Sequence, residues 1–288
     1  MTTTEYINGN CSVTIGSDGS KVREWEGVAA PLFPESIDLK ITDYCDAGCA
    51  YCHEQSTRRG KHGDVADILA AIDGLPPGVE IAIGGGDPLS HPNLDRILEH
   101  MAACGLVANV TVNAVHVGPA RDRLHALRNR GLIHGLGVSY RPDYMEDIRA
   151  VVDSNSVIHV IAGVHRTQDV LRLPTDWKML VLGYKQHGFG VRYYTSRPVA
   201  NDLNEWRYWI GTMMRRFHCS FDNLGLAQLD IKAKLLHETW ARAYMGDDGQ
   251  FTMYVDAVKR EYAVSSTSPK FRIDGMGIRE MFARVREN

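Results

Sequence analysis

The sequence lacks a dominant charge: 32 Lys and Arg stand against 35 Asp and Glu, for a formal net charge of −3. No strongly basic face is guaranteed, so extended non-specific nucleic-acid binding is not expected. No run of 18 apolar residues occurs, which argues against a membrane span. The stretch Met1–Cys11 is polar and has no apolar leader core. A cytoplasmic location is the expectation. Cysteine is scarce, with six in 288 residues, too few and too unevenly placed for a disulfide framework. The remaining composition, 44% hydrophobic and 23% charged, is that of an ordinary globular chain long enough for a large core.

What is present is a repeating pattern. Strand-like runs at Ile37–Thr42, Val79–Ile83, Val107–Val112, Gly135–Tyr140, Val157–Ala162 and Met179–Leu182 alternate with segments of helical spacing. Among these segments, Leu94, Ile97, Leu98 and Met101 mark one helix and Arg121–Arg130 another, stopped by Gly131. Six such units predict an α/β fold with parallel strands, a partial (βα)6 TIM-like barrel. In such barrels chemistry gathers at the C-terminal ends of the strands. Ahead of it, residues 1–35 predict a β extension: Ser12–Ile15 and Lys21–Glu24 form a hairpin with its turn at Ser17-Asp18-Gly19. Residues 36–195 form the barrel, and residues 196–288 an α+β region packed on it. There Trp206, Ile210, Met213, Met214 and Phe217 read as a core stripe, and Phe251–Val255 with Tyr262–Val264 as a hairpin.

Three of the six cysteines fall directly after the first barrel strand, as Cys45-Asp46-Ala47-Gly48-Cys49-Ala50-Tyr51-Cys52. Thiolates so close together read as a metal site. Three of them on a four-iron cluster leave one iron open. The spacing alone also suits a Cys3His zinc site with His53 or His62 as the fourth ligand, in a binding protein without catalysis. Gly48 is expected to relieve crowding in the loop. The second strand ends in Gly85-Gly86-Asp87-Pro88, and polar residues close the later strands: Asn113, Ser139, His165 and Lys185. Asp38 and Lys40 alternate with apolar neighbours, and inward polar groups are costly unless paired or functional. His159 reads as a satisfied core histidine. The Ser265–Ser268 run reads as a polar turn, and Cys219 as a small buried hydrophobe.

C-x3-C-x2-C after a strand, followed by Gly-Gly-Asp-Pro after the next, resembles the signature of the radical S-adenosylmethionine (SAM) superfamily. The resemblance covers roughly residues 36–190 and departs from the usual pattern at Asp87, where Glu is commoner. It extends to uncharacterised single-cluster members in bacteria and phages. It implies one [4Fe–4S] cluster on Cys45, Cys49 and Cys52, with SAM as second cofactor. Reductive cleavage of SAM would give a 5′-deoxyadenosyl radical that abstracts a hydrogen from a small-molecule or nucleotide-like substrate; a peptide or protein substrate is the alternative. Gly85, Gly86 and Asp87 would hold the SAM ammonium group, and Tyr51, Gly163 and His165 would flank the adenine. Asn113 and Ser139 would face the ribose, and Lys185 would meet an anionic group of the substrate. An electron donor such as flavodoxin or ferredoxin is implied as partner. The C-terminal third has only Cys219, so the resemblance implies no auxiliary cluster.

Overall fold

The computed structural model describes residues 4–16 and 21–287. Its centre is one ten-stranded sheet. The six predicted barrel strands are β4 (Ser36–Thr42), β5 (Glu80–Gly85), β6 (Val107–Asn113), β7 (Gly135–Ser139), β8 (Ser156–Ile161) and β9 (Lys178–Leu182), each parallel to the next. A seventh parallel strand, β10 (His218–Phe221), extends the β9 edge. At the other edge β11 (Thr252–Asp256) lies parallel to β4 and continues antiparallel into β12 (Glu261–Ala263) and β13 (Phe271–Arg272). No ladder joins β10 to β11 among the described residues, so the sheet is a partial TIM-like barrel. The remaining strands, β1 (Thr4–Asn8), β2 (Cys11–Ile15) and β3 (Lys21–Trp25), form a separate antiparallel sheet. The predicted hairpin is its β2–β3 pair, and the turn at Ser17-Asp18-Gly19 lies outside the described residues.

Alternation along the strands divides the sheet into two faces. On one, Ile37, Leu39, Ile83, Val110, Val138, Val160 and Val181 are fully buried. Helices cover this face, as expected for a parallel sheet. The helix at Leu94–Ala103 contributes Leu94, Ile97, Leu98 and Met101. The helix at Val199–Arg216 buries Trp206, Ile210 and Met213, so the aromatic stripe is core. The other face is polar and small: Asp38, Lys40, Gly84, Thr111, Asn113, Ser139 and His159 line the interior. The helix after β6 starts at Ala114, ahead of the predicted Arg121. The Asn113 side chain accepts the Val115 N–H and caps it, and Pro119 lies inside the helix.

Candidate active site

The interior face opens into a cavity of about 290 Å³ at the C-terminal ends of the strands. The loop between β4 and the helix at Val65–Ala70 forms one wall and carries all three clustered cysteines. Backbone bonds close its base: Asp43 N–H to Lys61, Cys45 N–H to Thr57 and Thr57 N–H to Asp43. Gly48 has φ +65° and open space where a Cβ would stand. Left-handed backbone, not crowding, is what requires glycine there.

Two sequence-distant segments hold this loop. Lys40 is buried, and its Nζ lies 2.6 Å from Asp43, 2.6 Å from Glu54 and 3.2 Å from Asp256. One ammonium thus ties both flanks of the cysteine loop to β4 and β11. Burial opposes its charge, but Glu54, Asp43 and Asp256 outweigh that and raise its pKa. Burial likewise works against the Glu54 carboxylate, and His53 and Lys40 override it, so its pKa is lowered. The Tyr254 hydroxyl donates to the same carboxylate. From the other side, the Phe189 N–H donates to the Cys52 carbonyl at 2.9 Å. The Gly188 α-carbon passes so near His53 that a Cβ would lie 2.4 Å from its carbonyl oxygen.

The sulfurs differ in setting. Burial raises the Cys45 thiol to about 11 and also pushes Cys52 up. Cys49 Sγ instead receives Asn113 Nδ2 and Arg141 Nη1, each at 3.5 Å, and is also hydrogen-bonded by the Tyr51 hydroxyl. Arg141 was not singled out from the sequence; its only signal there is its place just past the end of a barrel strand.

Directly beside the cysteine loop, at the end of the adjacent strand β5, lies the glycine turn. Gly86 N–H donates to Thr42 and Asp87 N–H to Tyr44, both at 2.7 Å. Among the described residues the Gly86 carbonyl accepts no hydrogen bond. The turn therefore has an acceptor to offer a ligand ammonium, and its two N–H groups are committed to the cysteine loop. The Asp87 side chain is turned away from the cavity. It accepts the Leu89 N–H at 3.2 Å and faces His116 at 3.6 Å. Burial raises its pKa, and His116 opposes this. The carboxylate caps its own turn, a task for which aspartate has sufficient reach.

The other predicted residues divide. Tyr51 sits edge-on to His165 and Tyr193, with ring centroids 6.4 and 5.6 Å away. His165 accepts the Ile161 N–H on Nδ1, which assigns its proton to Nε2. Burial lowers its pKa to about 4, so the ring is neutral. Asn113, Ser139 and His159 lie in register on three adjacent strands and all line the cavity. Gly163 does not line it. Its φ is +80°, and a Cβ there would press on Leu203 and Val199 at 3.0 Å, so it serves helix packing. Lys185 reaches the cavity and donates to Ser266 Oγ at 3.0 Å. The Ser265–Ser268 turn is as expected, yet it also brings Ser266 to the cavity wall.

His159 is not a satisfied core histidine. It lines the cavity over Gly137 and has no hydrogen bond among the described residues. Its pKa is lowered by burial to about 4. Asp38 stands deep in the fold but is reached by solvent through the cavity, and burial raises its pKa. Cys219 lies off the cavity, on β10 against the core, with its thiol raised by burial to about 11. Neither candidate fourth zinc ligand joins the cysteines. His62 is bonded to the Thr42 hydroxyl at 2.8 Å, and His53 faces Glu54 at 3.3 Å. Three soft thiols beside a cavity, with one sulfur already supplied with donors, instead suit an iron–sulfur cluster.

Residues 39–140 match the radical SAM superfamily profile. A PqqA peptide cyclase of Methylocella silvestris is 29% identical over 107 residues, 36% of this chain and 28% of that protein. A PqqA peptide cyclase of Streptomyces rochei is 26% identical over 106 residues, 35% of this chain and 28% of its own. Among solved structures, SuiB of Streptococcus suis bound to its precursor peptide SuiA aligns with a TM-score of 0.59 at 13% identity. That alignment covers 88% of this chain and 65% of SuiB, a likeness of fold. The chain thus spans under a third of the curated relatives it matches. Among the described residues no helix is long and apolar enough to cross a membrane. The profile match begins inside β4 and ends at Tyr140, just past β7, so the stretch that is similar to the radical SAM superfamily takes in the cysteine loop, the glycine turn and the Asn113–Ser139 rim.

Proposed function

We propose that this protein is a radical SAM enzyme in which Cys45, Cys49 and Cys52 hold a [4Fe–4S] cluster at the wall of the interior cavity. The observation that carries this reading is the meeting of the three-cysteine loop with the Gly85-Gly86 turn through backbone bonds, beside a single cavity. A cluster held by these three cysteines would supply the chemistry of reductive SAM cleavage, which yields methionine and a 5′-deoxyadenosyl radical able to take a hydrogen atom from a substrate. The chain's own part is to bind, orient and exclude water. The Gly86 carbonyl accepts from the SAM ammonium. Tyr51 and His165 flank the adenine, and Ser139 and Asn113 offer polar groups to the ribose. Lys185 and Asp38, which also line the cavity, face the substrate. An external donor of the flavodoxin or ferredoxin type provides the electron.

Two substrate classes each have an observation behind them. The cavity's C-terminal lining is polar, with Lys185 bonded to Ser266 and Tyr254 beside them, which supports an anionic small molecule or nucleotide. The names of the two relatives favour a peptide, although the matched stretch spans about a third of this chain. Extract from the source cells, split at about 3 kDa and added to the reconstituted enzyme, separates them. Stimulation of 5′-deoxyadenosine formation by the small, protease-resistant fraction supports the first. Stimulation that protease treatment abolishes replaces it with the second.

A further inference from the structure

Arg141 is a half-buried cation without a counter-charge: among the described residues its guanidinium meets no carboxylate within ion-pair distance. Its polar contacts are with the sulfur of Cys49, at 3.5 Å, and with the Tyr51 hydroxyl beside it. Its backbone is extended, φ −142° and ψ 121°, and Pro142 behind it favours that conformation. The side chain is therefore aimed from a fixed point just past the end of β7. Asn113, at the end of the adjacent strand, sends Nδ2 to the same sulfur at 3.5 Å, while its Oδ1 is held by the Val115 N–H. That cap fixes which end of the amide faces Cys49. Cys49 is thus a sulfur with the Asn113 amide, the Tyr51 hydroxyl and the charged Arg141 guanidinium all directed at it.

Hydrogen bonds to cluster sulfurs and nearby charge are the protein's means of setting an iron–sulfur potential. A cation and a donor on one ligand sulfur stabilise the more negative, reduced cluster over the oxidised one. We propose that Arg141, with Asn113, is a positioning residue that raises the reduction potential of the cluster through the Cys49 sulfur. This rests on the radical SAM reading of the three cysteines but not on turnover or on any substrate. A charge-assisted hydrogen bond on a ligand sulfur is enough to move the one-electron reduction equilibrium about tenfold.

The test is an EPR-monitored redox titration of the anaerobically reconstituted full-length protein without substrate. Arg141→Gln is expected to lower the equilibrium constant for reduction about tenfold, 59 mV for a one-electron couple. Arg141→Lys, which keeps the charge, recovers part of that shift. Asn113→Asp keeps the acceptor that caps the helix, replaces the donor by a negative charge, and shifts the equilibrium the same way. Arg121→Gln, an exposed arginine on the following helix, leaves it unchanged. Arg141→Gln carrying four irons per chain and titrating with wild type overturns the proposal. Should that variant not load, Asn113→Asp titrating with wild type overturns it equally. A wild-type chain that accepts no cluster overturns the functional reading itself, a different result from a cluster of unchanged potential.

Discussion

A Cβ added to Gly86 would stand 2.1 Å from the carbonyl oxygen of Tyr44, the residue immediately before Cys45. The glycine turn and the cysteine loop therefore touch through backbone alone. Neither side can rotate away, because the Asp87 N–H also bonds that same carbonyl. Gly86→Ala is expected to push the loop off its seat and to cost about 1–3 kcal/mol of stability. Iron and sulfide content after reconstitution should fall with it. Wild-type loading and an unchanged melting temperature would contradict the contact.

Lys40→Met is the more damaging change. It leaves Glu54 and Asp256 in a poorly solvated interior without their cation, at a cost of about 3–5 kcal/mol. In a double-mutant cycle, Glu54→Gln added to Lys40→Met should recover part of that loss, because it removes an orphaned charge. Urea denaturation reads both. Simple additivity of the two losses would show that the network does not act as a unit.

Legibility from the sequence followed range. All six barrel strands are readable because each carries its own pattern, and Cys45, Cys49, Cys52, Gly85 and Gly86, singled out at the strand ends, line one cavity. What escaped depends on contacts between distant residues. The Phe251–Val255 segment looked like half of a hairpin, and β11 does pair with β12. Nothing in its alternation announced that it also lies parallel to β4. Arg141 and Ser266 escaped for the same reason: their partners, Cys49 and Lys185, lie far away in the chain. His159 was misjudged because mid-strand position does not reveal which face is hollow. Gly163 packs against a helix that begins at Val199, a contact that its own segment does not announce.

The two neutral histidines give the fold a pH dependence. His159 and His165 are held near 4 in the folded protein, against about 6.5 in an unfolded chain. Between those values the unfolded chain binds more protons, so their contribution to stability is present above about 6.5 and is lost as pH falls toward 4. Below about 4 both states are protonated and the effect levels off. Urea titrations across this range should show the decline, and His159→Gln should make it shallower. A slope identical to wild type would show that His159 is protonated in the folded state.

Tyr51 lies between His165 and Tyr193, edge-on to both. Tyr51→Ala removes that aromatic wall and should weaken SAM binding about tenfold, near the upper end of what such contacts contribute. Tyr51→Phe keeps the ring and should bind within about twofold of wild type. Equilibrium dialysis with labelled SAM on the reconstituted protein distinguishes the two. Equal weakening in both variants would move the contact from the ring to the hydroxyl.

The most direct test is made without oxygen. The protein is reconstituted with iron and sulfide, reduced with dithionite, supplied with SAM and assayed for 5′-deoxyadenosine by mass spectrometry. The predicted result is 5′-deoxyadenosine from the wild-type chain and none from Cys49→Ala, which keeps its fold but not its cluster. A Cys49→Ala variant that retains four irons and forms product at the wild-type rate would contradict the account.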